Sequence, residues 1–401
     1  MEREKLIQKR AAELQEYAVR MRRAIHEIAE LSNEEERTSA LVEQELKSMG
    51  LTPLRLAPYT VAALLDTGRP GKTVALRADI DALAVPENPN NLAGPRCCVS
   101  KTPGHCHACG HDAHAAMLLA SAKILCELKD QLCGRFCICF EQGEETGRAI
   151  GATAIRSWLK EQGADNVWAV HVYKGLDSGK LCVSAGPRMA GAVGVEVTVH
   201  GKGGHGSRPD LSVSPVYCAS AIVTNLAGAF VNQLDVNETV TMGITSIEGG
   251  GGSANIFPDT ARICGSFRFF NMTEGEKSVK ILKSVAEHTA AMNGCTVEYS
   301  SRTRVLAGPC INDAACSALA ERELPKVLGP NVLSECERWY ASESFSHYLE
   351  DFPGILCHLG IRNAEYGSGA EHHNEFFDVD ENVLQLGVAA TVQYAVCSAE
   401  Q

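Results

Sequence analysis

Apolar positions change their period along the chain, and each change predicts a different element. The runs "TVALRADI" (73–80), "RFCICFE" (135–141), "NVWAVHVY" (166–173) and "GILCHLGI" (354–361) are near-continuously apolar and of strand length. Helical segments lie between the first three. Across 112–129, Ala113, Ala116, Met117, Ala120, Ile124 and Leu128 recur at helical spacing. Apolar strands alternating with helices predict an α/β fold on a mostly parallel, covered sheet. Ahead of it the charged opening reads as a helix. Ser32, followed three residues later by Glu35, is a capping box predicted to open a second helix that stops near Gly50.

From about residue 192 the period becomes two, because Val193, Val195, Val197 and Val199 alternate with other residues. This predicts a strand with one buried face. A helix (about 214–231), two strands (about 239–247 and 261–269), a helix (about 274–292) and a strand beginning near Cys295 follow. The order β-α-β-β-α-β is the split unit of a ferredoxin-like sandwich. The expected organisation is an inserted α+β domain at 192–302 interrupting a larger domain made of 1–191 and 303–401.

A chain of 401 residues exceeds one hydrophobic core, and 45% hydrophobic with 21% charged residues suits folded domains. A net charge of −12 provides no concentrated basic surface for phosphates, which argues against nucleic acid and for a small-molecule partner. No apolar run of membrane-spanning length stands out, and the opening does not read as a secretory signal, so a cytoplasmic protein without a membrane partner is expected. The 17 cysteines are odd in number and scattered, which reads as reduced thiols rather than a disulfide framework.

Candidate chemistry concentrates in "HCHACGHDAH" (105–114), with four histidines, two cysteines and an aspartate. Such a stretch is costly to bury unless a cation organises it. Gly110 gives the backbone freedom to turn Cys109 and His111 toward one centre. Asp112 is placed to cap the following helix, with His105, His107 and His114 as hydrogen-bonding or surface residues. Glu144 and Glu145 follow one buried strand and His171 ends another, where ligands converge in open α/β sheets. A late loop supplies His372 and His373.

"RADIDAL", "HACGHDAHAAMLLASAKIL", "FEQGEE", "AVHV", "GKGGHGSRPD", "GGSANIFPD" and "HHNEFFDVDE" occur in order from about residue 20 to 390. In order and spacing the chain resembles the aminoacylase and carboxypeptidase superfamily of dinuclear metallohydrolases, peptidase family M20. It looks most like the amidohydrolase branch with hippurate hydrolases, N-acyl-amino-acid deacylases and auxin-conjugate hydrolases. The resemblance implies a metallopeptidase-like catalytic domain and an inserted dimerisation (lid) domain. It further implies two divalent transition-metal ions (zinc, manganese, nickel or cobalt) on Cys109, His111, Glu145, His171 and His373, with Glu144 as catalytic carboxylate.

The same resemblance gives His205, Asn255 and Arg268 of the inserted domain roles in substrate and oxyanion binding, with His205 lent to the partner of a homodimer. The implied reaction is hydrolysis of an N-acyl or N-aroyl amino acid. The alternatives are a dipeptidase or carboxypeptidase of the same superfamily, and a metal- or redox-responsive binding protein without catalysis. Departures from the family pattern fall at Ala84, at "EQG" beside the acidic pair, at the cysteine-rich segment 97–106, and at Ser344, where relatives carry aspartate.

Overall fold

Thr73–Asp79 (β3) is buried at every position, its charged Arg77 and Asp79 included, and lies near the middle of a seven-stranded sheet. The computed structural model describes residues 2–250 and 252–401. It divides into two units, the first comprising Met1–Arg188, Ile311–Glu337 and Ser344–Gln401, the second Met189–Cys310 and Arg338–Glu343.

In chain order the first unit contains α1 (Glu2–Glu13), α2 (Gln15–Ile28), α3 (Glu36–Ser48), β1 (Leu54–Arg55), β2 (Val61–Asp66), β3, α4 (His111–Glu127), β4 (Arg135–Glu141), α5 (Ile150–Gln162), β5 (Asn166–Asp177) and β6 (Leu181–Cys182). The sheet order is β1-β2-β4-β3-β5-β16-β6, where β16 is Gly354–Arg362. The four central strands run parallel and the edge pairings are antiparallel, so the sheet is mixed. Helices α4 and α10 (Leu384–Ala399) pack against each other and the central strands, and Trp168 stacks on Tyr394 at 4.4 Å between ring centres.

The capping box does not form. Helix α3 starts at Glu36 with no side-chain cap, because both residues are drawn into tertiary contacts. Ser32 Oγ donates to Asp81 at 2.6 Å, and Glu35 accepts from the Gly143 N–H at 2.7 Å. Hydrogen bonds to these distant, buried partners outcompete the local cap.

Strands β7 (Gly186–Met189) and β15 (Cys310–Asn312) lie where the chain leaves and re-enters the first unit. The second unit contains β8 (Gly191–His200), β9 (Gly204–His205), α6 (Pro215–Gln233), β10 (Val240–Gly249), β11 (Ile256–Phe257), β12 (Thr260–Phe269), α7 (Met272–Met292), β13 (Thr296–Tyr299) and β14 (Val305–Ala307). Its antiparallel sheet is ordered β10-β12-β8-β13, with β14 also on β8. The alternating valines of β8 are buried with Ile222 and Leu226 of α6 and Ile281 and Leu282 of α7. Contrary to the sequence expectation, α6 is long and apolar enough to cross a membrane. Its alanines and larger apolar residues raise mean hydropathy, while interspersed Ser220, Thr224 and Asn225 break the apolar run and Cys218, Ile222, Leu226 and Phe230 face the unit's core.

Candidate metal centre

The site is assembled at the carboxyl ends of the parallel strands. Asp79 is the last residue of β3, and Asp81 follows it. Cys109 precedes α4 and His111 is the first residue of that helix. Between them Gly110 adopts φ 90°, and a Cβ there would stand 2.3 Å from Val172 Cγ2, so only glycine fits. Glu144 and Glu145 occupy a 3-10 turn beyond β4, entered through Gly143 at φ 68°. His171 lies within β5, which continues to Asp177 rather than ending there, and is in register with His358 of β16. His373 has a left-handed φ of 62°, held by its N–H donating to Ala108 O at 2.8 Å.

Three sets of donor atoms converge here, each mutually within 4.8 Å: Cys109, His111 and His171; Cys109, Glu145 and His373; and His111, Glu144 and Glu145. A fourth set, Asp79, His111 and His114, lies deeper. Cys109 Sγ is 3.8 Å from His171 Nε2, and His373 Nε2 is 3.1 Å from Glu145 Oε1. Among the described residues, His111 Nε2 and Glu145 Oε1 are buried without a hydrogen bond, 3.8 Å apart. Orphaned acceptors facing one another beside a thiol are the donor set of a transition-metal cation, and the residues fit one.

Neighbouring groups fix which atoms face the centre. His171 Nδ1 donates to Val172 O at 2.7 Å, which leaves the Nε2 lone pair toward Cys109. Burial pushes His171 and His372 well below the ordinary imidazole range, so both are neutral. Burial also pushes the Cys109 thiol well up, so its ionisation requires a cation beside it. His111 Nδ1 donates to Asp81 at 3.0 Å, directing Nε2 into the site. Burial would raise the Asp81 carboxyl, but the His111 and Ser32 hydrogen bonds hold it below the usual range. His114 bridges Asp79 Oδ1 (2.6 Å) and the Val172 N–H (2.9 Å) and so braces the wall behind His171.

Glu144 is half-buried and accepts the Ser344 N–H on Oε1 at 2.8 Å. The Ser344 hydroxyl turns the other way, accepting from Arg77 Nη2 and donating to Glu141 Oε1, both at 2.7 Å. Arg77 also pairs with Asp79 and Glu141, and Tyr348 donates to Glu141 at 2.8 Å. The Ser344 side chain therefore serves a buried ionic network rather than a substrate surface.

Asp112 does not cap α4, whose N-cap position is Gly110; its carboxylate pairs with Arg22 and His26, each at 2.7 Å. In the second unit His205 and Asn255 adjoin on the β9–β11 ribbon, where the Gly206 N–H donates to Asn255 O at 2.7 Å. Arg268 is not brought to them. It lies eight residues along β12 from Thr260, on the order of 25 Å, and donates to Ser342. Asp79 and Asp81 received no role from sequence, although acidic residues at and just past the end of a buried strand in "RADIDAL" are a readable signal, whereas His114 takes the hydrogen-bonding role expected of it.

A model of peptidase family M20/M25/M40 matches residues 75–396. The chain belongs to this family. Among M20 relatives it is 34% identical to thermostable carboxypeptidase 1 of Saccharolobus solfataricus, over 96% of each chain. It is 32% identical to IAA-amino acid hydrolase ILR1-like 4 of Arabidopsis thaliana, over 93% of this chain and 84% of that one. The YXEP protein of Bacillus subtilis, a dinuclear metal-binding peptidase from the M20 family, superposes with a TM-score of 0.81 at 26% identity, covering 97% and 99% of the two chains. The chain is thus an M20 metal-dependent amidohydrolase.

Proposed function

We propose that this M20 enzyme hydrolyses the amide bond of N-acyl or N-aroyl amino acids, with Glu144 as general base and then general acid. The observation that carries this reading is a carboxylate held by a main-chain donor, 2.8 Å from the Ser344 N–H, while its neighbour Glu145 faces the imidazoles. Adjacent carboxylates divide the work: Glu145 binds and Glu144 moves protons.

Cys109, His111, Glu145, His171 and His373 would hold two divalent ions of zinc, manganese, nickel or cobalt, with Cys109 common to two of the donor sets. When bound, such ions supply positive charge that acidifies a water and polarises an amide carbonyl. Glu144 accepts the proton from that water and delivers it to the departing amine. His372 Nε2 accepts the Lys174 N–H at 3.5 Å, so its Nδ1–H points at Cys109 Sγ, 3.9 Å away, as a donor to the thiolate rather than a ligand. We assign His205 to a homodimer, in which a second copy presents it to the substrate, and Asn255 and Arg268 to the substrate's carboxylate or carbonyl.

Free-amine release from N-acetyl, N-benzoyl, N-indoleacetyl and dipeptide substrates, with protein reloaded with each metal, tests the proposal. Chelator-sensitive release that Glu144→Gln abolishes at unchanged metal content is expected; full activity in that variant would refute the assignment. The carboxypeptidase relative supports a second reading, distinguished by preference for substrates with a free amine on the acyl side.

A further inference from the structure

Two thiols and an imidazole meet at the edge of the first unit's sheet, outside the ligand set. Cys182 ends β6, and Cys336 lies in the segment after α8 (Ala314–Leu328). The two segments run parallel, with the Leu181 N–H donating to Val332 O and the Ser334 N–H to Leu181 O, both at 2.9 Å. This register, with Cys182 set opposite His358 where β6 pairs with β16, brings both thiols to one imidazole. Cys336 Sγ is 3.7 Å from His358 Nδ1, and Cys182 Sγ is 3.5 Å from Ser184 Oγ. Cys182 and His358 are buried, whereas Cys336 is half-exposed. Cys218 and Cys295, which share the second unit's core, are both buried and have no histidine partner among the described contacts.

We propose that Cys182 and Cys336 are a redox-reactive dithiol that a peroxide closes to a disulfide. The half-exposed Cys336 sulfur attacks one peroxide oxygen; an S–O bond forms, the O–O bond breaks, and the departing hydroxide leaves as water with the thiol proton. Cys182 then attacks the sulfenic sulfur; the S–S bond forms, the S–O bond breaks, and a second hydroxide leaves as water with the Cys182 proton. Both sulfurs are oxidised, and one peroxide is reduced to two waters. Hydrogen bonding from Cys336, with His358 and Ser184, outweighs burial and draws the Cys182 thiol below its ordinary range. Cys182 and burial push the Cys336 thiol up, so Cys336 attacks as its proton leaves with the departing hydroxide. The pair reaches the metal centre through Tyr173, whose ring is 5.0 Å from His358 and 6.4 Å from His372.

The test treats the metal-loaded full chain with one equivalent of hydrogen peroxide, alkylates remaining thiols and maps the peptides. The expected result is a Cys182–Cys336 cross-linked peptide ahead of oxidation at any other cysteine, with two thiols lost per peroxide and recovered with dithiothreitol. Cys182→Ser is expected to stop at a dimedone-trappable sulfenic acid on Cys336. Cys336→Ser, on a half-exposed segment, is expected to keep metal content and unfolding midpoint while losing the fast reaction. A first cross-link at Cys218–Cys295, first oxidation at Cys109, or undiminished peroxide consumption by Cys336→Ser would overturn the proposal.

Discussion

Asp81 accepts the His111 Nδ1–H on one carboxylate oxygen at 3.0 Å and the Glu145 N–H on the other at 3.0 Å. One side chain thereby sets the ring orientation of one donor and the backbone position of another. Asp81→Asn replaces an acceptor with an amide N–H₂ facing either the His111 Nδ1–H or both the Ser32 hydroxyl and the Glu145 N–H. Metal affinity is expected to fall about 10- to 100-fold, read by competition with a chelator of known affinity. An unchanged affinity would show that His111 and Glu145 are oriented by other contacts.

Gly110→Ala combines an unfavourable φ with a Cβ that has no room beside Val172. A loss on the order of 2–4 kcal/mol is expected, measured by urea unfolding of the metal-free chain. A loss of only a few tenths would mean that the turn relaxes freely.

Ser344→Ala removes a hydroxyl joining Arg77 to Glu141 but leaves the main-chain N–H that holds Glu144. Stability should drop by about 1–3 kcal/mol, while kcat changes less than tenfold. A collapse of kcat with an unaltered thermal midpoint would assign this hydroxyl to chemistry instead.

Glu35 is raised to about 7 by burial and by the nearby Asp81 charge, above its ordinary 4.5. Between those values the folded state holds a proton that the unfolded chain has released. Stability therefore falls as pH rises through this window, and the cost persists above it. Glu35→Gln keeps an acceptor for the Gly143 N–H and removes the titration. Unfolding from pH 5 to 8 should give a flatter profile, with a gain on the order of 1–3 kcal/mol at pH 8; an unaltered slope would place the titration elsewhere.

The central strands were legible because each is a short, near-continuously apolar run, and β8 because its valines alternate. The antiparallel edges were not: Leu54–Arg55 and Leu181–Cys182 are two residues long and carry no period. Ligand-type residues stood out by their density around Cys109. The carboxylates that orient them did not, since the contacts from Asp79 to His114 and from Asp81 to His111 span 35 and 30 residues and exist only once β3 and α4 have packed. Ser32 and Glu35 show the converse: a valid local signal yielded to distant partners.

The pairing of β5 with β16 has a consequence for how the chain finds its fold. These strands are parallel neighbours, yet the second unit is threaded between Asp177 and Gly354. Closing that gap from an extended coil restricts a very long loop. The intervening segment carries its own core, including Val195, Ile222 and Ile281; once compact, it shortens the span of free chain that closure must restrain. Refolding is therefore expected to show two phases, with near-native order in the inserted segment preceding the slower zipping of β16 onto β5.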